Sequence, residues 1–387
     1  MRSEKLRSIE LLRGLAALWV VLFHIHTIYN PLGYNWQGPI AVFLSLGHSG
    51  VDLFFVISGF VIGWVTFFKP NPMRNPIEFA IRRFFRVVPL YWAATAAFVF
   101  WYPNGIAFDN VTRSLSFLPG TGAMPPFYSY PVLYVGWSLN YEIYFYGLVL
   151  TVLVCRLGWK SLLVVMAAIL MGAPFMLRHT ISAEPEVGYQ FPHVLAMLAT
   201  NPIVWEFVLG LAVALLFSIT THLRLSRAAW AVFGVAALFS FWYLETATFE
   251  HFSLLYRGLP SALLVYAMLE LERRGVFRFG AVSEWAGGWS YALYLSHPFI
   301  LLYAQHNWYL PPKTPFMTIN AYIVLSAVSI AVAAAIHKKL EQPIIRFGIN
   351  YSKGVSRILS WPPAVDRAAG LQGAARKDNQ PGQISSP

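Results

Sequence analysis

The sequence predicts an all-α, polytopic membrane protein with about ten transmembrane helices and both termini in the cytoplasm. Three observations carry that prediction. Hydrophobic residues make up 57% of the 387 positions and charged ones only 12%, with a mean hydropathy of +0.55, a balance found in membrane proteins and not in soluble domains. Apolar windows long enough to span a bilayer recur along the chain. Lys and Arg fall in short clusters between those windows, as positive-inside orientation produces.

In chain order the windows are 11–30, 48–68, 87–103, 136–155, 161–177, 202–219, 228–244, 254–271, 286–304 and 319–337. With the N-terminus inside, 23 of the 28 Lys and Arg lie in cytoplasmic segments. Arg113, Arg178 and Lys313 fall in outer loops, and Arg13 and Arg257 within spans. An odd number of spans before residue 320 would put several clusters on the wrong side. Arg2, Lys5 and Arg7 precede the first window as in a signal peptide, but Arg13 interrupts the run and no small-x-small pattern follows, so a retained span is expected. The stretch Asn75 to Arg86 mixes basic and aromatic residues at helical spacing and reads as an interfacial helix leading into the third span. It serves either as a lipid anchor or as a basic lip for a soluble anion. The outer loops 104–135 and 179–200 are rich in Pro, Gly, Tyr and Phe, as a surface for a bulky polar acceptor would be. Residues 1–350 form one expected transmembrane domain, and 351–387, rich in Pro, Gly, Ala and polar residues, a disordered cytoplasmic tail.

The net charge of +11 does not imply nucleic-acid binding, because the basic residues sit where orientation needs them. The single cysteine, Cys155, excludes an intramolecular disulfide and a cysteine-rich metal site, and no metal is expected. P-loop, dinucleotide, nucleophile-elbow and HExxH signatures are missing, and His48 and Asp52 fall one residue short of an HxxxxD spacing.

The candidates for chemistry are ionisable groups inside apolar windows, where burial is costly and function is the default reading. Arg13 and His24 stand eleven residues apart, which at about 100° per residue returns to one helix face with a rise of roughly 16 Å. That spacing suits a long ligand gripped by an anionic head and worked on at the other end. His24 is suited to take a hydroxyl proton near neutral pH, although a lone intramembrane histidine also serves as a helix–helix hydrogen-bond partner. Asp52 either caps its helix or acts, and Ser58 with Gly59 reads first as a packing notch. Arg82, Arg83 and Arg86 are either solvated flanking charge or forked donors for phosphate. Glu142 needs a cation, a proton or donors. It lies about 9 Å from the outer end of its span and His24 about 10 Å from the outer end of its own, so the two are expected to meet. His297 falls near mid-membrane, and Glu206 and Arg257 are further buried charges that could pair structurally.

The order Ile9-Glu-Leu-Leu-Arg13-Gly-Leu-Ala-Ala…His24, Gly50-Val-Asp-Leu-Phe-Phe-Val-Ile-Ser-Gly, Arg82-Arg-Phe-Phe-Arg-Val-Val-Pro-Leu-Tyr-Trp, Trp137-Ser-Leu-Asn-Tyr-Glu and Ser290-Tyr-Ala-Leu-Tyr-Leu-Ser-His297-Pro resembles the acyltransferase-3 family over about residues 7–347. The resemblance implies a bacterial inner-membrane enzyme that O-acylates carbohydrates or other envelope or small-molecule acceptors. It implies acyl-CoA, usually acetyl-CoA, as a co-substrate from the cytoplasm, with no permanently bound cofactor. Its Arg-x10-His pair matches Arg13 and His24, and its motifs bring Asp52, Ser58, Arg86, Tyr91, Trp137, Ser138 and His297 forward as substrate-facing positions. Arg13 and Arg86 are expected on the CoA phosphates, His24 as general base or transient acyl relay, and Glu142 as the group that orients or charge-balances the imidazole. Partners would be acyl-CoA, a carbohydrate or lipid-linked glycan acceptor and membrane lipid, but no nucleic acid. Some members carry an extracytoplasmic esterase-like domain; without one, transfer finishes in the membrane domain or a separate periplasmic acyltransferase completes it. Glu10 stands where the family often has Asp. The rival reading is a transporter with a His/Glu/Arg relay, whose inverted repeats and paired broken helices are not evident.

Overall fold

The computed structural model describes residues 6–29, 39–102, 106–120, 124–223, 226–247, 254–276, 280–307 and 315–358. The described residues form helices and connecting turns, with no strand. The long helices are α1 (Arg7–Tyr29), α2 (Gly50–Gly63), α3 (Pro76–Trp101), α4 (Trp137–Val154), α5 (Trp159–Ala167), α6 (Trp205–Ile219), α7 (Arg227–Ala247), α8 (Leu259–Arg273), α9 (Ala281–Asn307), α10 (Pro315–Ile336) and α11 (Gln342–Ile358). Each expected apolar window falls on helix, and seven helical stretches among the described residues are long and apolar enough to cross a membrane. Of the other three windows, 228–244 lies on the shorter apolar run Arg227–Tyr243 of α7, and 136–155 and 286–304 lie on α4 and α9, which are less apolar because they carry polar side chains into the interior, among them Asn140, Ser138, Ser290 and His297.

Two boundaries differ from expectation. The segment 75–86 is not a separate interfacial helix but the first part of α3. The Asn75 side chain accepts from the Ile77 and Glu78 amides at 2.9 and 3.1 Å, with Pro76 at the first helical position. That cap starts the helix early, and a Glu78–Arg82 ion pair one turn in supports it. At about 1.5 Å per residue α3 is longer than a roughly 30 Å hydrocarbon core, so one end must stand outside it. At the other boundary, helix continues to Ile358, eight residues into the expected tail, and residues 359–387 lie outside the described residues.

Helix α9 is the central column. It packs along α1 and also against α10 and α3, while α2 packs along α6, α7 on α8, and α11 along α3. Close approach is written in glycines. A Cβ on Gly14 would meet Ala286 of α9, and one on Gly287 would meet Glu10 of α1. The arrangement brings the ionisable residues of α1, α3 and α4 around the flank of α9.

Candidate active site

A cleft among α1, α2, α3, α4 and α9 gathers Arg13, Ser58, Arg83, Arg86, Ser138, Glu142, Tyr146, Tyr291 and Tyr294, with apolar walls that include Val51, Phe54 and Phe55. Its arginines come from the first two turns of α1 and from the start of α3, so one end is strongly cationic. Arg13 Nη1 stands 4.0 Å from Glu10 Oε2. Arg86 Nη1 bonds Glu341 Oε1 at 2.6 Å and lies 5.7 Å from the Tyr291 ring centre. Arg83 lies 5.6 Å from the ring centres of both Phe79 and Tyr146. Aromatic faces attract a guanidinium without consuming its donors.

Glu142 accepts from Ser58 Oγ at 3.2 Å and from the Tyr146 hydroxyl. Ser58 is therefore more than a packing notch. The expected meeting of Glu142 with His24 is not what the structure shows. The carboxylate lies in the cleft and takes two hydroxyls there, whereas the His24 ring stands 5.3 Å from the ring of Tyr134, eight residues before Glu142.

At the far end of the cleft, the Tyr294 hydroxyl donates to the Val135 carbonyl at 2.7 Å and accepts from Ser138 Oγ at 2.8 Å. One turn on, the His297 ring lies 6.2 Å from the Tyr294 ring. His297 Nε2 is 3.2 Å from His24 Nδ1, and His24 Nδ1 is 2.9 Å from the Val20 carbonyl. His297 is fully buried. The partner of His24 is thus His297, an imidazole supplied by α9. Arg13 lines the cleft and His24 does not; the histidine pair lies beyond Tyr294.

The other expected substrate-facing positions divide. Ser58, Arg86 and Ser138 line the cleft. Tyr91 does not: it is buried against Gly136 and Phe117. Trp137 is a core aromatic, with ring centres 4.8 Å from Phe127 and 6.3 Å from Phe55. Asp52 is buried away from the cleft, close enough to Arg257 and Glu206 to interact with both electrostatically. Those three come from α2, the turn before α8, and α6, so Asp52 sits in a buried charged cluster between helices and not in the cleft. Buried Glu206 stands beside Gly258, the neighbour in sequence of buried Arg257. Sequence reasoning missed Glu341, Tyr146 and Tyr291. The signal for Glu341 was available: a lone acid in His337-Lys-Lys-Leu-Glu341, directly after an apolar window. Among the described residues no group of three or more His, Cys, Asp or Glu could hold a metal.

Fold and site define a multi-pass membrane protein with charged and titratable groups gathered in its interior. The model of the acyltransferase domain family matches residues 6–338, and the chain belongs to that acyltransferase-3 family of enzymes. Among its relatives, it is 30% identical over 320 residues to the exopolysaccharide production protein ExoZ of Rhizobium meliloti (strain 1021), covering 79% of this chain and 91% of that protein. It is 27% identical over 382 residues to the acyltransferase MdmB of Streptomyces mycarofaciens, covering 89% and 93%. It is 25% identical to the peptidoglycan O-acetyltransferase OatA of Listeria monocytogenes serovar 1/2a (strain ATCC BAA-679 / EGD-e) over 90% of this chain and 57% of that protein. No solved structure matches the chain. Family membership answers the transporter alternative.

Proposed function

We propose that this chain is a ten-span O-acyltransferase of the bacterial inner membrane, with both termini in the cytoplasm. It moves an acetyl group from cytoplasmic acetyl-CoA to a hydroxyl of a cell-surface carbohydrate. One observation carries the reading: a cleft that is cationic at one end, through Arg13, Arg83 and Arg86, and ends under the histidine pair. Guanidinium forks suit the phosphates of the nucleotide end. An extended pantetheine arm matches the roughly 16 Å rise between Arg13 and His24. Relatives named for exopolysaccharide production and for peptidoglycan O-acetylation support a carbohydrate acceptor.

In the proposed step His24 removes the acceptor hydroxyl proton as the oxygen attacks the thioester carbonyl. An O–C bond forms, the C–S bond breaks, and the proton passes from the imidazole to the departing CoA sulfur. A base contributes about 10²–10⁴-fold to such a step, and alignment of the two substrates much of the rest. The test is CoA release by purified protein in bilayer discs, with acetyl-CoA and an exopolysaccharide acceptor. His24→Ala is expected to lower kcat by about 10²–10⁴-fold, and Arg13→Ala to raise KM for acetyl-CoA. A wild-type rate in His24→Ala removes the imidazole from the reaction, and acceptor-independent CoA release removes the transfer.

A further inference from the structure

The same pair of histidines carries one inference further, and it rests on the acyl-transfer reading only for its kinetic half. Both polar contacts of the His24 ring among the described residues run through one nitrogen: Nδ1 lies 2.9 Å from the Val20 carbonyl and 3.2 Å from His297 Nε2. His297 repeats the pattern one helix away, with Nδ1 3.0 Å from the Leu293 carbonyl. A carbonyl oxygen can only accept. Each Nδ1 must therefore carry its proton, and a neutral imidazole protonated at Nδ1 has its lone pair at Nε2. The lone pair of His297 then points at the Nδ1–H of His24, which is shared between two acceptors as a three-centre bond.

We infer that His297 is a positioning residue that, with the Val20 carbonyl, holds His24 as the Nδ1–H tautomer and leaves His24 Nε2 as the basic nitrogen. Several consequences follow from the geometry. The ring of His24 is fixed at its back edge by two acceptors on two different helices, α1 and α9. Its front edge, carrying Nε2, is the side left to a substrate hydroxyl. When Nε2 takes that proton, the imidazolium keeps its Nδ1–H on the His297 lone pair, so the charge that develops during the reaction is met by a group already in place. His297 holds no substrate in this account, in contrast to the substrate-facing role the sequence motifs suggest for it. Its own place is set by burial and by the i−4 carbonyl bond to Leu293, so the alignment costs nothing at the moment of reaction.

The direct test is the ¹⁵N spectrum of histidine-labelled full-length protein in lipid bilayers, with the His24 signals identified by their loss in His24→Gln. A protonated Nδ1 and a bare Nε2 on His24 are expected in the wild type; a bare Nδ1 with a protonated Nε2 overturns the proposal, whatever the enzyme acts on. The kinetic arm compares two substitutions in the acetyl-CoA assay. His297→Phe keeps the volume and removes the acceptor, and is expected to lower kcat by about 10- to 100-fold, the worth of one hydrogen bond to a charged group, with KM for acetyl-CoA unchanged. His297→Gln puts a carbonyl oxygen in the place of His297 Nε2, as acceptor for the His24 Nδ1–H, and is expected to recover most of that loss. Equal kcat in the two variants overturns the positioning role. If the spectrum is as expected and His24→Ala keeps full activity, the tautomer stands and the base assignment falls.

Discussion

Arg86 is held on two sides, by the Glu341 carboxylate at 2.6 Å and by the Tyr291 ring, and Glu341 is itself 1% exposed and bonded at 2.8 Å to His337 Nδ1. Removing one member of a buried ion pair leaves an uncompensated charge, at about 3–5 kcal/mol. Glu341→Ala is therefore expected to lower the unfolding temperature of the ligand-free protein in detergent. An anionic donor that binds Arg86 refills the vacancy, so saturating acetyl-CoA should raise Tm more in this variant than in the wild type; an equal rise argues that Arg86 is not on the donor path. Arg86 was legible from its place in a basic cluster before an apolar window. Its partner was not, because the two stand 255 residues apart and only tertiary packing joins them. The pairing of His24 went wrong for a related reason. Helix rise alone put Glu142 and His24 level, but the His24 ring stands 5.3 Å from that of Tyr134, eight residues before Glu142, because the offset between neighbouring helices and the direction each side chain faces follow from how the helices pack around α9, which no single window records.

Helix α2 crosses α6 so closely that a Cβ on Gly59 would run into the Phe207 carbonyl and one on Gly210 into the Val56 carbonyl. The obstacle in each case is backbone, which cannot rotate aside as a side chain can. Gly59→Ala and Gly210→Ala should each destabilise by about 1–3 kcal/mol through overpacking. Asp52, Glu206 and Arg257 are set around the same junction, so the loss should spread to residues that never touch the glycine. Gly147 of α4 is the internal control: nothing lies within 4 Å of its absent Cβ, and Gly147→Ala is expected to raise stability by about 0.4–1 kcal/mol. Thermal unfolding of the three variants in bilayer discs checks the contrast, and equal Tm shifts would contradict the crossing. At this scale the sequence was most informative, since each apolar window became helix. Its errors fell where the apolar period stops being the signal. Asn75 and Pro76 start α3 eleven residues before its apolar window through capping, and α11 runs on to Ile358 because it packs on α3, with Phe347 and Tyr351 beside Phe85 at ring distances of 5.4 and 6.5 Å.

Across the whole molecule the proposed reaction needs a polarity: donor phosphates inside, acceptor outside, and the cationic end of the cleft facing the cytoplasm. The chain carries its own probe of that polarity. Cys155 is its one cysteine and is exposed at the end of α4. If α1 enters from the cytoplasm, α4 runs inward and Cys155 emerges on the cytoplasmic side, next to Arg156 and Lys160 and on the same side as the start of α3 with Arg83 and Arg86. A membrane-impermeant maleimide is then expected to label inside-out vesicles and to leave intact spheroplasts unlabelled. Moving the single thiol to the loop between α5 and α6, as Cys155→Ser with Glu184→Cys, should reverse the pattern, because Glu184 is exposed on a segment one span further along. Labelling of Cys155 from the outside would turn the molecule over, set the arginines facing away from cytoplasmic CoA, and leave the cleft without its proposed donor even though every contact within it stayed the same.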